Sequence, residues 1–417
     1  MNLHCLRFLA LAVGSCGVVP SGHAAGTLRL EEAVARALAS HPSMAAEAAD
    51  LRAAQARADR DGLPMSFSVG GELENFAGTG AFSGIKSVET TLRLGRVIEL
   101  GDKRAARQAL GSAEVARQRN ASETVRLEIS SRTTARFIEV AADQHRLEFA
   151  RQQVDLSERT RREVAKWVAA ARNPESELRA AEIAVAVAEL DREHAEHELA
   201  SARTTLAASW GAFEPDFESV AGNLQILPTV EPFEVLAARL PTTAAQRSAL
   251  LEAGAIEARR RVAVSSAKPD ITASVGVRRF EAFDDQALVM SVSLPLGSRT
   301  RAGFAIAEAD AQLAAVQARR EAQSFESHQA LFEKYQELKH AATEYEALES
   351  DMLDKAEQAL AFTRRGFEAG RFSLVALSQA QRTLFDLRKR SVDAAARYHT
   401  LVVEVERLTA VATDSTP

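Results

Sequence analysis

The sequence predicts a mainly α fold with a small transmembrane β part, laid out twice along one chain. Three observations carry this reading. Two pairs of short segments alternate apolar and polar residues, and each pair leads into a helical run of about 70 residues. Corresponding landmarks, Pro64 with Pro269 and Gly101 with Gly297, are separated by about 200 residues. Composition removes other classes. The 417 residues are 26% charged and 6% aromatic, with a formal net charge of -6. They contain no uninterrupted apolar stretch of about 18 residues, which excludes a bundle of transmembrane helices. With no sustained basic run, no nucleic-acid footprint is expected.

Residues 1–24 are expected to be a secretory leader. Arg7 precedes an apolar stretch from Phe8 to Val13 that continues loosely to Val19, followed by Pro20 and the small residues Gly22 and Ala24. Val13-Gly14-Ser15-Cys16 offers a competing reading as a lipoprotein box, with Cys16 as the acylated first residue. The two cysteines are Cys5 and Cys16. Beyond them there is no thiol for a disulfide, a zinc cluster or a nucleophile.

The first repeat is expected over 25–210 and the second over 241–412, with a linker at 211–240 and a tail at 413–417. In the first, a helix from Leu30 to Gly62 leads to a β-hairpin at 65–100, where Phe67, Val69 and Leu73 interleave with Ser66, Ser68, Glu72 and Glu74. Its second strand sets Val88, Leu92 and Leu94 against Glu89, Thr91 and Arg93. The second repeat has a helix near Pro241 to Ser266, then a hairpin at 269–297. There Ile271, Ala273, Val275 and Val277 oppose Thr272, Ser274, Gly276 and Arg278, while Leu288, Met290, Val292 and Leu294 oppose Ser291 and Ser293. Period two gives each strand one apolar face. Each strand is close to the roughly 9 to 11 residues that cross a bilayer at a tilt. Taken alone, a small soluble sheet packed on helices fits equally well. Strand number separates the two, because four strands leave two open edges and lipid does not tolerate them. Three chains of four strands close the circle.

The helices argue from length. The runs from Asp102 to Arg172 and from Arg299 to Ala369 would each reach roughly 105 Å, and no compact globule holds that. Pro174 to Ser209 and Gly370 to Ala412 complete two helical hairpins. The last helix has a regular seam through Leu377, Leu384, Leu387, Ala394, Tyr398, Leu401 and Val405. Pro174 to Ser209 has another through Leu178, Ala181, Val185, Ala188, Leu199 and Leu206, interrupted at Arg192. A filamentous coiled coil accounts for these stripes taken alone. Because the hairpins begin where strands end, a joined sheet-and-helix structure accounts for both.

Three stretches carry a family resemblance: RVIELGDKR (Arg96 to Arg104), SLPLGSRTRAG (Ser293 to Gly303) and RRGFEAGRFSLVALSQAQRTL (Arg364 to Leu384). With the twofold order of strands and helices, the chain after the leader resembles the TolC-like outer-membrane efflux channels. Its length, compact loops and ELGDKR junction look most like the cobalt-zinc-cadmium and nickel-cobalt resistance channels. The resemblance implies a trimeric α/β barrel in the outer membrane with its helices in the periplasm. It also implies a homotrimer that docks a periplasmic membrane-fusion adaptor and an inner-membrane proton-driven pump of the RND type, with no catalytic group and no cofactor of its own. The expected cargo is a heavy-metal cation such as cobalt, nickel, zinc or cadmium. The same duct serving drugs or secreted polypeptides, and a periplasmic scaffold without channel activity, stay open as alternatives.

The resemblance also places sites. Ser176, Leu178, Gly370, Ser373 and Leu374 match the family's adaptor-docking tips. Threefold symmetry would turn residues near the two turns into rings, which makes Arg172, Glu175, Glu177, Arg365, Arg371 and Gln379 gate candidates. Where multidrug members have two lumenal aspartates, this chain has Ala376 and Gln379, so a gate built on those acids does not carry over. No resident metal site is expected. His194 and His197, flanked by Glu193 and Glu196, are the weak candidates for one.

Overall fold

The computed structural model describes residues 26–411. The expected leader, Cys16 and the C-terminal tail lie outside the described residues. In chain order the elements are β1 (Gly26–Leu28), α1 (Leu30–Ser40), α2 (Pro42–Asp61), β2 (Phe67–Glu74), β3 (Glu89–Ile98), α3 (Lys103–Ala169), α4 (Glu175–Ala207), β4 (Phe217–Val220), α5 (Phe233–Ala237), α6 (Ala244–Ser266), β5 (Ile271–Phe280), β6 (Asp285–Ser293), α7 (Ser298–Ala347), α8 (Leu353–Glu368) and α9 (Leu374–Thr409). They form two compact units. One comprises residues 26–45, 124–243 and 326–411, the other residues 46–123 and 244–325. Each unit draws on both halves of the chain, so the compact units are not the two sequence repeats.

The second unit carries the sheet, which runs antiparallel in the order β2-β3-β5-β6. Its central pairing, β3 on β5, joins the two repeats over ten residue pairs from Glu89–Phe280 to Ile98–Ile271. Register places Val69, Leu94, Val275 and Met290 in one row and Gly71, Leu92, Val277 and Leu288 in the next. This face stands open: Val69 is 82% exposed, Leu288 82% and Met290 80%. Exposed phenylalanines flank it, with Phe76, Phe82 and Phe283 in the strand-connecting loops and Phe304 early in α7. An apolar band between aromatic flanks is the pattern of a lipid-facing barrel wall.

The opposite face is polar and internally paired. Arg93 meets Glu72 at 2.6 Å, and Arg278 meets Glu74 at 2.8 Å and Glu89 at 2.9 Å while donating through Nε to the fully buried Thr91 hydroxyl. Lower down, the Ser274 and Ser291 hydroxyls share a hydrogen bond of 3.0 Å. Gly276 is required where β5 crosses β3, since a Cβ there would lie 2.3 Å from the Leu92 carbonyl oxygen.

The strand-to-helix junction explains the ELGDKR motif. Gly101 and Asp102 both take positive φ, 86° and 58°, turning the chain out of β3 into α3. Lys103 pairs with Asp270 at 2.6 Å, and the same carboxylate accepts the Leu100 amide. Arg107 pairs with Glu99 and donates to the carbonyls of Asp61 and Leu63. The motif therefore ties β3 to the starts of α3 and β5 and to the end of α2.

The first unit is helical apart from a small parallel sheet, β1 on β4. Its main core gathers Leu28, Phe137, Val140, Leu199, Leu206, Phe217 and Leu348. The end of β4 and the segment after it are held by side chains that bond their backbone. Gln144 brackets Val220 through both its amide atoms, Tyr345 donates to the Gln225 carbonyl, Tyr398 donates to that of Pro228, and His399 bonds that of Leu224. Within the helices, Arg146 on α3 donates to Glu139, Asp143 and Asp393. Burial works against its charge, but three carboxylates outweigh it and hold the guanidinium pKa above its usual value.

Four sequence expectations change. The helix expected from Leu30 to Gly62 is two helices, because His41 before Pro42 adopts an extended conformation. The second long run is not continuous: a π-helical segment, Leu348–Met352, separates α7 from α8, whereas α3 runs unbroken for 67 residues. Val88 precedes its strand, its N–H closing a turn onto the Ile85 carbonyl. β1 and β4, at three and four residues, are too short for alternation to reveal them.

Two measurements check this account. Gly276→Val is expected to cost about 1 to 3 kcal/mol by forcing β5 from β3, read as a lower unfolding midpoint; an unchanged midpoint would contradict the close approach. Burial pushes His399 below the usual histidine pKa, opposed by its bond to Leu224. The unfolded chain then takes up the proton more readily, so this stabilisation is complete above about pH 6.5 and fades as pH falls through the folded value. Thermal scans of His399→Gln should show a flatter dependence on pH over that window than the parent protein.

Candidate functional site at the hairpin tips

Both hairpin turns lie in the first unit and use one backbone device. Ala171 and Gly370 take positive φ, 55° and 71°. Arg172 N–H then reaches the Trp167 carbonyl and Arg371 N–H that of Gly366, each at 2.8 Å, while Ala171 and Gly370 bond the carbonyls of Val168 and Phe367. These are two Schellman closures. Glycine adopts this conformation freely, while Ala171 bears a cost of about 1 kcal/mol. Past the turns, the Ser373 hydroxyl accepts the Ala376 amide as the N-cap of α9, and Pro174 holds the corresponding place before α4.

A small core fastens the hairpins together. Val164, Ala181, Phe367, Leu374 and Leu377 are buried, with Trp167 and Leu178 packed against them. The Trp167 and Phe367 rings lie 4.6 Å apart at 47°. Of the residues expected to dock an adaptor, Leu374 and Leu178 therefore face inward. Ser176 and Gly370 are exposed, and Ser373 is exposed while capping α9. Phe372 and Val375, within the motif, are among the apolar side chains in solvent at this end. The Phe372 ring covers Gly366 so closely that a Cβ there would lie 2.2 Å from it.

The gate candidates have other partners within the chain. Glu175 pairs with Arg179 at 2.9 Å, and Glu177 accepts from the Asn173 amide. Arg365 stacks on Phe362 at 4.8 Å and donates to the Ala361 carbonyl. Arg172 and Arg371 are exposed, and the exposed Gln379 leans toward Thr383 at 3.5 Å. Among the described residues no ion pair joins two members of this set. Near the turns, Arg364 and Glu163, 3.7 Å apart between α8 and α3, join one hairpin to the other, with Glu368 at 3.5 Å from the same guanidinium. A buried bond from the Gln381 amide to the Thr160 hydroxyl, 3.1 Å, links α9 to α3. Sequence reasoning passed over these because nothing in the spacing shows that residues about 200 positions apart meet.

His194 and His197 lie on α4, both exposed, and each meets one glutamate a turn away. No group of three or more metal-ligating side chains converges among the described residues, and no described helix is long and apolar enough to cross a membrane.

Gly366→Val is expected to displace the Phe372 ring and destabilise the tip by about 1 to 3 kcal/mol. Hydrogen exchange should then quicken across 360–380 and stay unchanged in the sheet; uniform protection would refute the packing described.

Comparison with known proteins places this architecture. Residues 240–411 match the family described as Outer membrane efflux protein. The cobalt-zinc-cadmium resistance protein CzcC of Cupriavidus metallidurans is 30% identical over 331 residues, which is 78% of each chain. Two solved structures share the fold. CusC is 14% identical over 92% of both chains with a TM-score of 0.77. VceC from Vibrio cholerae is 19% identical over 92% of this chain and 96% of that one, with a TM-score of 0.75. With its four-stranded sheet, long helical hairpins and a curated relative matched over most of its length, the chain belongs to the outer membrane efflux protein family and has the TolC-like fold.

Proposed function

We propose that this protein is the outer-membrane duct of a tripartite, proton-driven efflux system and that it exports heavy-metal cations such as cobalt, nickel, zinc or cadmium. The single observation that supports the duct is the sheet. Its apolar face is open and its polar face internally paired, while among the described residues β2 and β6 have no partner on their outer edges. Lipid penalises such edges by several kcal/mol for each unsatisfied group, and a homotrimer removes them by pairing β6 of one copy with β2 of the next. The cargo rests on the kinship with a cobalt-zinc-cadmium resistance protein. A chain of this design passes its cargo without bond chemistry, so energy comes from an inner-membrane pump joined through a periplasmic adaptor.

In this reading the exposed tip residues meet the adaptor. Ser176, Gly370, Ser373, Phe372 and Val375 are available to it, while Leu178 and Leu374 keep the hairpins aligned behind them. Arg172, Arg371, Glu175, Glu177 and Arg365 become rings whose links, if they hold the resting state closed, run between chains. Gln379 gives that constriction a neutral ring.

Deleting the gene should lower survival in cobalt, nickel, zinc or cadmium and leave drug tolerance unchanged. Drug sensitivity with normal metal survival would replace the cargo and keep the duct. Native mass measurement in mild surfactant should give three chains and planar bilayers should show conductance. A non-conducting water-soluble monomer would reject the duct itself.

A further inference from the structure

The solvent-facing side of α4 carries two histidines with matched acidic partners. His194 Nε2 lies 3.2 Å from Glu198 Oε1, and His197 Nε2 lies 3.7 Å from Glu193 Oε1. Both histidines are more than two-thirds exposed, at 72% and 77% of the side chain, and both glutamates are exposed as well. Positions 193, 194, 197 and 198 share one face of a helix, and their Nε2 and carboxylate atoms form two adjacent pairs, each one turn long. Asp191 and Glu189 add acidic charge close by, while the neighbouring Arg192 is engaged with Glu196 at 2.7 Å.

The separations are those of shared ligation as well as of hydrogen bonding. A tetrahedral cation with bonds of about 2.0 to 2.1 Å to imidazole nitrogen and carboxylate oxygen holds its two donors roughly 3.3 Å apart. One pair already has that spacing, and the other reaches it with a few tenths of an ångström of side-chain movement, which two exposed side chains supply without disturbing the core. Imidazole with carboxylate suits zinc, nickel, cobalt and copper and is a poor choice for magnesium or calcium, which prefer all-oxygen shells.

We propose that α4 takes up borderline divalent cations at two bidentate half-sites, His194 with Glu198 and His197 with Glu193, water filling the remaining positions. With two protein ligands each, the half-sites are weak and exchange quickly. They collect the cation on a helical surface outside any sealed core and release it readily. An apolar stripe, Ile183, Val187 and Leu190, continues along the same exposed face of α4, so a bound cation changes the charge beside a surface that is open to contact. The inference stands independently of the proposed cargo. A metal-binding measurement on purified protein can fail while the resistance phenotype holds, and the reverse.

The test is titration of the full chain, purified in mild surfactant with a tag free of histidine, against zinc and cobalt by calorimetry, with magnesium as a second titrant. The expected result is about two equivalents of zinc per chain and no uptake of magnesium. His194→Gln should remove one equivalent, and His194→Gln with His197→Gln both. Glu193→Gln with Glu198→Gln should keep both histidines and weaken binding by roughly tenfold. All four positions are exposed, so circular dichroism should be unchanged in every variant. No zinc uptake up to about 1 mM, or equal stoichiometry and affinity in the parent and the double histidine variant, would overturn the proposal.

Discussion

Two rows of backbone N–H and C=O groups, along the free edges of β2 and β6, set the terms for the rest of this protein. A four-stranded antiparallel sheet with one apolar and one polar face is ordinary, but among the described residues no helix or second sheet is laid over its apolar face. Such a face is stable only against something apolar, and in lipid an unpaired edge is costlier than in water. In the proposed homotrimer, lipid covers the face and strand pairing between copies removes the edges. The polar face shows the same logic from inside, since Arg93 and Arg278 are neutralised by Glu72, Glu74 and Glu89 rather than left to water.

The internal repeat is used twice and differently. In the sheet, the second strand of the first repeat pairs with the first strand of the second, β3 with β5, and the close approach at Gly276 makes the two halves mutually dependent. At the hairpin tips, the same Schellman closure appears at Ala171 and Gly370, fixed by the same pair of backbone bonds. The repeats then diverge where α3 stays regular and its counterpart carries the π-helical segment at 348–352. Such segments insert one residue into a helix and are frequent where function requires a local departure from regularity. Leu348 is buried there, so the insertion is anchored in the core.

The tips show how far a motif can be taken. RRGFEAGRFSLVALSQAQRTL locates the second turn correctly, and Gly370 is where the turn needs a left-handed residue. The motif does not say which of its side chains point out. Leu374 and Leu178 belong to the fastening core, whereas Phe372 and Val375 stand exposed. Similarly, Arg364 and Glu163, which join one hairpin to the other near the turns, come from positions with no distinguishing pattern.

The sequence alone determined the strand faces, the helical hairpins and the family, because alternation, seam spacing and turn chemistry are local properties written over a few consecutive residues. It also determined the junction, where Gly101 and the charges of ELGDKR have no other reason to stand together. The tertiary structure decided what depends on encounters across the chain. Pro42 divides the first helix, β1 finds β4 some 190 residues on, and Asp270 rather than a neighbour takes Lys103. It also decided that two compact units cut across both repeats. The physical reason is the same in each case: a side chain's partner is chosen by packing, and packing joins residues whose separation along the chain leaves no local trace.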